Sequence, residues 1–145
     1  MIALDTTVLV YAVGSDHALR EPARALVAAI GAGTLRATTT AGVLQEFAHV
    51  RARRRSRADA VELTRAFAKL LAPLLPVEEE HLERGLGLWE RDEGLGAFDA
   101  VLAATALGSG IEALVTADRA FDGVPGLRVV PLEGGPAVLG LANAQ

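Results

Sequence analysis

The sequence predicts an α/β protein on a mostly parallel sheet. Three observations carry this: short apolar runs that end in capping residues, amphipathic stretches at helical spacing, and the alternation of the two along the chain. At 145 residues, 51% hydrophobic and 22% charged, the composition is that of one globular domain with a core of its own. Ile2 to Leu4 is the first strand, and Asp5-Thr6-Thr7 turns it into a helix. From about His17 to Ile30, Leu19, Ala23, Leu26, Val27 and Ile30 recur at helical spacing, with Pro22 near the first turn and Gly31 and Gly33 at the end. Leu35 to Thr38 reads as a second strand. Thr38-Thr39-Thr40 then supplies caps for a helix through Val43, Leu44, Phe47 and Val50 that contains Glu46.

An arginine stretch separates that helix from the next, roughly Arg57 to Leu71, whose face is Ala60, Leu63, Phe67 and Leu70. Leu74 to Val77 reads as a short strand. Glu78, Glu79 and Glu80 open a helix to about Arg91, where acidic residues suit the helix dipole. Gly94 and Gly96 break the pattern before an Ala-rich helix from Phe98 to Leu107, with Asp99 in its first turn. Ala113 to Val115 and Leu127 to Val130 are the last two strands. Residues 1–133 are expected to form the domain and residues 134–145 a C-terminal tail.

Absence of cysteine excludes disulfides, thiolate metal sites and a cysteine nucleophile, and fits a reducing cytoplasm. The apolar N-terminus lacks the basic region of a signal peptide and is interrupted by Asp5, so it reads as a buried strand. No run reaches the roughly 20 apolar residues of a membrane helix, since Pro73 and Pro76 break LLAPLLP. A net charge of −4 argues against a nucleic-acid partner only on average. Arg51, Arg53, Arg54, Arg55 and Arg57 are concentrated in one short stretch.

Ligands in an open parallel sheet bind beyond the carboxyl ends of the strands, where strand order reverses. Asp5 and Asp118 both occupy that end of an expected strand, and face one crevice if the first strand is central with the Ala113 strand beside it. Each also has a plainer reading as a helix N-cap. Asp99 and Glu46 sit in otherwise apolar segments, GAFDAVL and GVLQEF, where a buried or half-buried carboxylate needs a partner. Apart from Arg119, no Lys or Arg adjoins any of the four in sequence. Clustered carboxylates without cations repel and take up protons, whereas a divalent cation relieves them. All-oxygen ligation favours Mg²⁺ or Mn²⁺ over zinc.

The strings IALDTTVLVYA, VLQEF, FDAVLAA and LVTADRAF, in that order and over nearly the whole chain, resemble the four motifs of PIN-domain nucleases, and more narrowly those of VapC-type toxins. The resemblance implies a three-layer α/β/α fold, Mg²⁺- or Mn²⁺-dependent endoribonuclease activity on an RNA substrate, a cognate VapB-type antitoxin and a homodimer. It maps Asp5, Glu46, Asp99 and Asp118 onto the acidic quartet. Thr6 and Thr116 match hydroxyl positions of the first and last motifs. Thr7 departs from the pattern, standing where many relatives carry Asn or Ser. On this reading Asp5 and Asp99 are the principal ligands, Glu46 holds metal or orients water, and Asp118 completes the pocket. A non-catalytic PIN-like binding module is the alternative.

The arginines Arg51, Arg53, Arg54 and Arg55 are candidates for RNA-backbone contact because guanidinium groups bind phosphate bidentately; a solvated helix junction is the plainer reading. Glu46 with His49 and Glu78 with His81 form E-x-x-H pairs, which raise a di-iron bundle, but the strand-like runs break that plan. His17 reads as a surface or capping residue, Asp122 as a turn residue, and Trp89 and Phe67 as core or dimer contacts. A Walker A motif is absent, Gly31-Ala32-Gly33 follows a helix, and Thr7 stands where an Asp-x-Asp phosphatase needs its second acid.

Overall fold

The first strand, β1 (Ile2–Leu4), is buried along its whole length and turns at Asp5 directly into α1 (Thr6–Val13). The computed structural model describes residues 1–141. The chain continues through α2 (Arg20–Gly31), β2 (Ala37–Thr38), α3 (Ala41–Arg54), α4 (Arg57–Leu70), α5 (Glu79–Arg91) and α6 (Ala97–Gly108). Then come β3 (Leu114–Thr116), a 3-10 turn at Arg119–Gly123, β4 (Val129–Pro131), a second 3-10 turn at Leu132–Gly134 and α7 (Gly135–Val138).

All strand pairs are parallel, in the order β2-β1-β3-β4, with Ala3 opposite both Thr38 and Leu114 and Val115 opposite Val130. From β1 the chain steps to β2 on one side, then crosses β1 to reach β3 on the other. Crossovers of one hand that run in opposite directions cover opposite faces, which makes the fold a three-layer α/β/α arrangement. Helices on both faces explain why β1 and β3 are uninterrupted buried runs rather than alternating ones. The reversal of strand order falls between β1 and β3, so the loops after Leu4 and Thr116 diverge there.

Local chemistry starts each helix where the chain must turn. Thr40 Oγ1 accepts from Val43 N to cap α3, and Ser56 Oγ accepts from Asp59 N to cap α4. At α5, Glu78 and His81 form a reciprocal capping box in which Glu78 N donates to His81 Nδ1. That is the role of the second E-x-x-H pair. His17 lies outside α2, which begins at Arg20 with Leu19 as an N-cap that has no side-chain capping bond; the exposed His17 Nδ1 accepts from Leu19 N at 3.1 Å.

Three expectations need correction. Leu74 to Val77 is not a strand: a single parallel bridge joins Leu75 to Thr40, because Pro76 has no N–H to extend the ladder and Pro73 closes its other end. The arginine run is not a separator, since Arg51, Arg53 and Arg54 lie in the last turns of α3, where the helix dipole favours cations. Trp89 is not in the core, being 49% exposed on α5. Phe67 is buried, edge-on to Phe47 with ring centroids 5.2 Å apart.

Beyond Gly134 the chain stays on the core. Gly135 is buried, with Leu26, Val115 and Val130 all within 3.9 Å of where a Cβ would stand, and Leu139 and Leu141 pack against the same cluster. Residues 142–145 of the expected tail lie outside the described residues. No described helix is long and apolar enough to cross a membrane.

Candidate functional site

Asp5 lies at the carboxyl end of β1, 3% exposed, and its two oxygens have different surroundings. Oδ1 accepts from Thr6 N at 2.7 Å, the N-cap bond of α1. Oδ2 accepts from Thr116 Oγ1 at 2.7 Å and from Thr7 Oγ1 at 3.0 Å. An ionised carboxylate offers about four acceptor sites, so three donors leave roughly one for a ligand. A buried carboxylate tied to two chain segments is held in one orientation.

The threonines form a continuous relay. Thr116 ends β3, and its Oγ1 accepts from Asp118 N at 2.9 Å while donating to Asp5. Thr7 Oγ1 accepts from Ala117 N at 3.0 Å while donating to Asp5. The ends of β1 and β3 are thus stitched together through hydroxyls on the side where strand order reverses. Sequence reasoning singled out Thr6 and Thr116 but treated Thr7 only as a departure from the motif. The signal for its role was present in the consecutive hydroxyls after Asp5. What was missing was the adjacency of β1 and β3, which brings Ala117 within its reach.

Glu46 comes from α3, where Thr6 Oγ1 donates to its Oε2 at 2.8 Å. Its side chain is exposed, so the expectation that its apolar segment buries it fails; α3 turns Val43, Leu44 and Phe47 inward and Glu46 outward. Asp118 is also exposed, and its Oδ1 accepts from Ala120 N at 2.9 Å to cap the 3-10 turn. The N-cap readings of Asp5 and Asp118 are therefore both realised.

Asp99 occupies the first turn of α6, half-buried. A carboxylate at a helix N-terminus is ordinarily stabilised as the anion by the dipole. Here its carboxyl is instead pushed up from 3.8 to about 7, first by burial and then by the negative charges of Asp5, Asp118 and Glu46. Asp99 is thus near enough to the other three acids to feel their charge. Among the described residues, no three His, Cys, Asp or Glu side chains already stand close enough together to hold an ion. The donor set nevertheless fits a hard divalent cation: it holds only carboxylate and hydroxyl oxygens and carries an excess of negative charge that raises the proton affinity of Asp99. Arg119, beside Asp118, is 94% exposed and its nearest acid is Asp122 at 3.9 Å, so it does little to neutralise the quartet.

The arginines divide. Arg51, 13% exposed, donates from Nε to Asp59 Oδ2 and from a terminal nitrogen to the carbonyl of Val13 at 3.1 Å, tying α3 to α4 and to the end of α1. That engagement takes it out of the set expected to meet phosphate. Arg53, Arg54 and Arg55 are exposed. They lie about 10 Å or more along α3 from Glu46 at 1.5 Å per residue.

Comparison with known proteins matches residues 2–127 to the PIN domain. The chain is 56% identical over 122 residues to Ribonuclease VapC7 of Mycobacterium tuberculosis, covering 83% of this chain and 84% of that protein. It is 37% identical over 122 residues to Ribonuclease VapC23 of the same species, covering 82% of this chain and 94% of that protein. Among solved structures, a toxin-antitoxin complex from Klebsiella pneumoniae superposes with a TM-score of 0.67 at 21% identity, covering 91% of this chain and 98% of that one. VapBC2 from Rickettsia felis, bound to a DNA fragment from its promoter, gives 0.66 at 19% identity, covering 90% and 98%. The order of elements, the acids at the strand switch point and these similarities agree: the chain belongs to the PIN-domain family, among the VapC proteins.

Proposed function

We propose that the chain is a divalent-metal-dependent endoribonuclease that acts as the toxin of a toxin-antitoxin pair in the cytoplasm, restrained by a VapB-type antitoxin and assembled as a homodimer. The observation that supports the catalytic part is that Asp5 and Asp118 stand at the carboxyl ends of β1 and β3 at the switch point of a parallel sheet, while burial, and then the charges of Asp5, Asp118 and Glu46, raise the Asp99 carboxyl to about 7. Relatives named as VapC ribonucleases support the substrate, and neighbours described as toxin-antitoxin complexes support the partner.

Asp5, Asp99, Glu46 and Asp118 are the residues that would hold Mg²⁺ or Mn²⁺. Such an ion, when bound, supplies Lewis acidity at a phosphate and lowers the pKa of its water. Every other contribution comes from the chain. Thr116 and Thr7 fix the Asp5 carboxylate so that it need not reorganise, and Thr6 orients Glu46. Asp99, whose carboxyl is pushed toward the neutral form by burial and the neighbouring acids, would hold the ion as its anion. Asp118, exposed beside Arg119, stands at the crevice edge where an RNA backbone would enter.

The test is cleavage of single-stranded RNA by purified protein in Mg²⁺ or Mn²⁺, with EDTA as control. Asp5→Asn and Asp99→Asn are expected to lose cleavage by at least about a hundredfold while keeping the wild-type circular dichroism spectrum. Full activity in both variants refutes the quartet as the site. A wild-type protein that binds RNA and never cleaves it would establish the non-catalytic module instead.

A further inference from the structure

Next to the acids lies a second feature that the quartet does not use. Phe98 immediately precedes Asp99 at the start of α6, and it is 43% exposed although it is a large aromatic residue. Its ring lies across the first turn of α3 at Gly42, where a Cβ would meet ring carbons at 3.0 and 3.4 Å. Glycine at that position is what lets the ring settle against the helix. Gly42 and Glu46 are one turn apart on α3 and so share a face. Two acids of the quartet are thus near in the chain to the ring and its contact: Asp99 follows Phe98 on α6, and Glu46 is one turn beyond Gly42 on α3. Beside it runs an apolar cleft of about 400 Å³, walled by Gly42, Leu75, Val77, Val101 and Leu102.

We propose that Phe98 is a nucleobase platform: an unpaired base flanking the scissile phosphate of a single-stranded RNA stacks on the exposed ring and enters the cleft between α3 and α6. This rests on the four-acid site as the place of cleavage. A phosphodiester held at the quartet must carry its neighbouring bases to one side or the other, and the side toward α6 presents an aromatic face. Bases stack on aromatic side chains irrespective of duplex geometry, which makes such platforms a means of selecting unpaired RNA. The cleft is large enough for one base and is apolar, so it favours the flat, weakly hydrated face of a nucleobase over its phosphate. None of the four acids lines the cleft itself; what favours substrate over a protein partner is that Phe98 adjoins Asp99 in the chain and its ring touches Gly42, one turn from Glu46.

The experiment compares wild type, Phe98→Ala, Phe98→Leu, Phe98→Tyr and Asp5→Asn on a randomised single-stranded RNA pool in Mg²⁺, followed by steady-state kinetics on the preferred oligonucleotide. A copy carrying 2-aminopurine beside the cut site reports stacking through its fluorescence. Loss of the ring in Phe98→Ala and Phe98→Leu is expected to raise KM about five- to hundredfold and to flatten the base preference beside the cut, with Phe98→Tyr close to wild type. The 2-aminopurine quenching should disappear in the same two variants. The ring carbons that meet Gly42 are lost in both variants, so wild-type circular dichroism spectra and urea midpoints are the control that separates a lost platform from a lost fold. If Asp5→Asn is inactive while Phe98→Ala keeps the wild-type KM and base preference, the platform is overturned and the acid site stands. If Asp5→Asn cleaves normally, the acid site falls and the platform with it. Unchanged RNA kinetics with weakened antitoxin binding in Phe98→Ala would assign the cleft to the protein partner and overturn the proposal.

Discussion

Removing the charge of Asp99 should make the metal-free protein more stable at alkaline pH, the opposite of what removing a salt-bridged acid does. Its carboxyl is raised from 3.8 to about 7 in the fold. Between those values the folded state holds a proton that the unfolded chain has released, so stability falls as pH rises through that window and stays low above it. A shift of roughly 3 units corresponds to a ceiling of about 4 kcal/mol. Because the side chain is only half-buried, solvent screening reduces this to about 1–2 kcal/mol, or roughly 2–8 °C in Tm for a domain of this size. The assay is thermal unfolding by circular dichroism from pH 4.5 to 8.5 in EDTA, wild type against Asp99→Asn. The wild type should lose stability between about pH 4 and 7 relative to the variant, which lacks this titration. Mg²⁺ at pH 8 should restore much of the difference in the wild type and little of it in the variant. Wild-type and Asp99→Asn profiles that run parallel across the whole range would show that Asp99 does not carry the frustrated charge of the quartet.

Two further outcomes separate structural residues from those near substrate. Arg51→Ala should cost about 1–3 kcal/mol in urea unfolding, because it strands Asp59 and the Val13 carbonyl, whereas Arg53→Glu, Arg54→Glu and Arg55→Glu should each change stability by less than about 0.5 kcal/mol. If the exposed three contact RNA, reversing them lowers RNA affinity and reduces the salt slope, and an unchanged slope assigns them to the surface. Gly85→Ala should destabilise by about 1–3 kcal/mol without altering metal binding, since its Cβ would stand 2.8 Å from the Cα of Val101, where α5 and α6 approach backbone to backbone. A wild-type urea midpoint would show that the two helices separate freely.

The parts legible in the sequence were those set by local chemistry. The cap at Thr40, glycine at the helix ends and apolar periodicity located the helices within a few residues, because each signal acts on its own neighbours. Leu74 to Val77 misled because composition suggests a strand while pairing depends on available N–H groups beside a particular neighbour, and Pro76 offers none. Arg51 was read with its neighbours as one basic run. Its partner Asp59 is on the next helix, and only the packing of α3 on α4 distinguishes it from Arg53. Nothing in the sequence marks Phe98 as exposed, because an aromatic residue in an apolar helix is ordinarily core. Its place across Gly42, with 43% still exposed, depends on how α6 packs on α3.

Asp5 and Asp118 show why capping and site membership are poor alternatives to choose between. A helix that follows a parallel strand begins with orphan N–H groups at the strand's carboxyl end, so an acid there is recruited as a cap. That same end, where strand order reverses, is where the loops part and leave a crevice. One position has both consequences. Capping engages only Oδ1 of each residue, with Thr6 N for Asp5 and Ala120 N for Asp118. What distinguishes a site residue from a mere cap is therefore the surroundings of the second oxygen. For Asp5 these are two threonine hydroxyls, Thr7 from the first turn of α1 and Thr116 from the end of β3, brought together by the pairing of β1 with β3. An arrangement joining residues 111 positions apart holds the carboxylate more firmly than capping requires. Such fixing is what a preorganised ligand needs, and it ties the reading of Asp5 as a ligand to the topology of the sheet rather than to the motif alone.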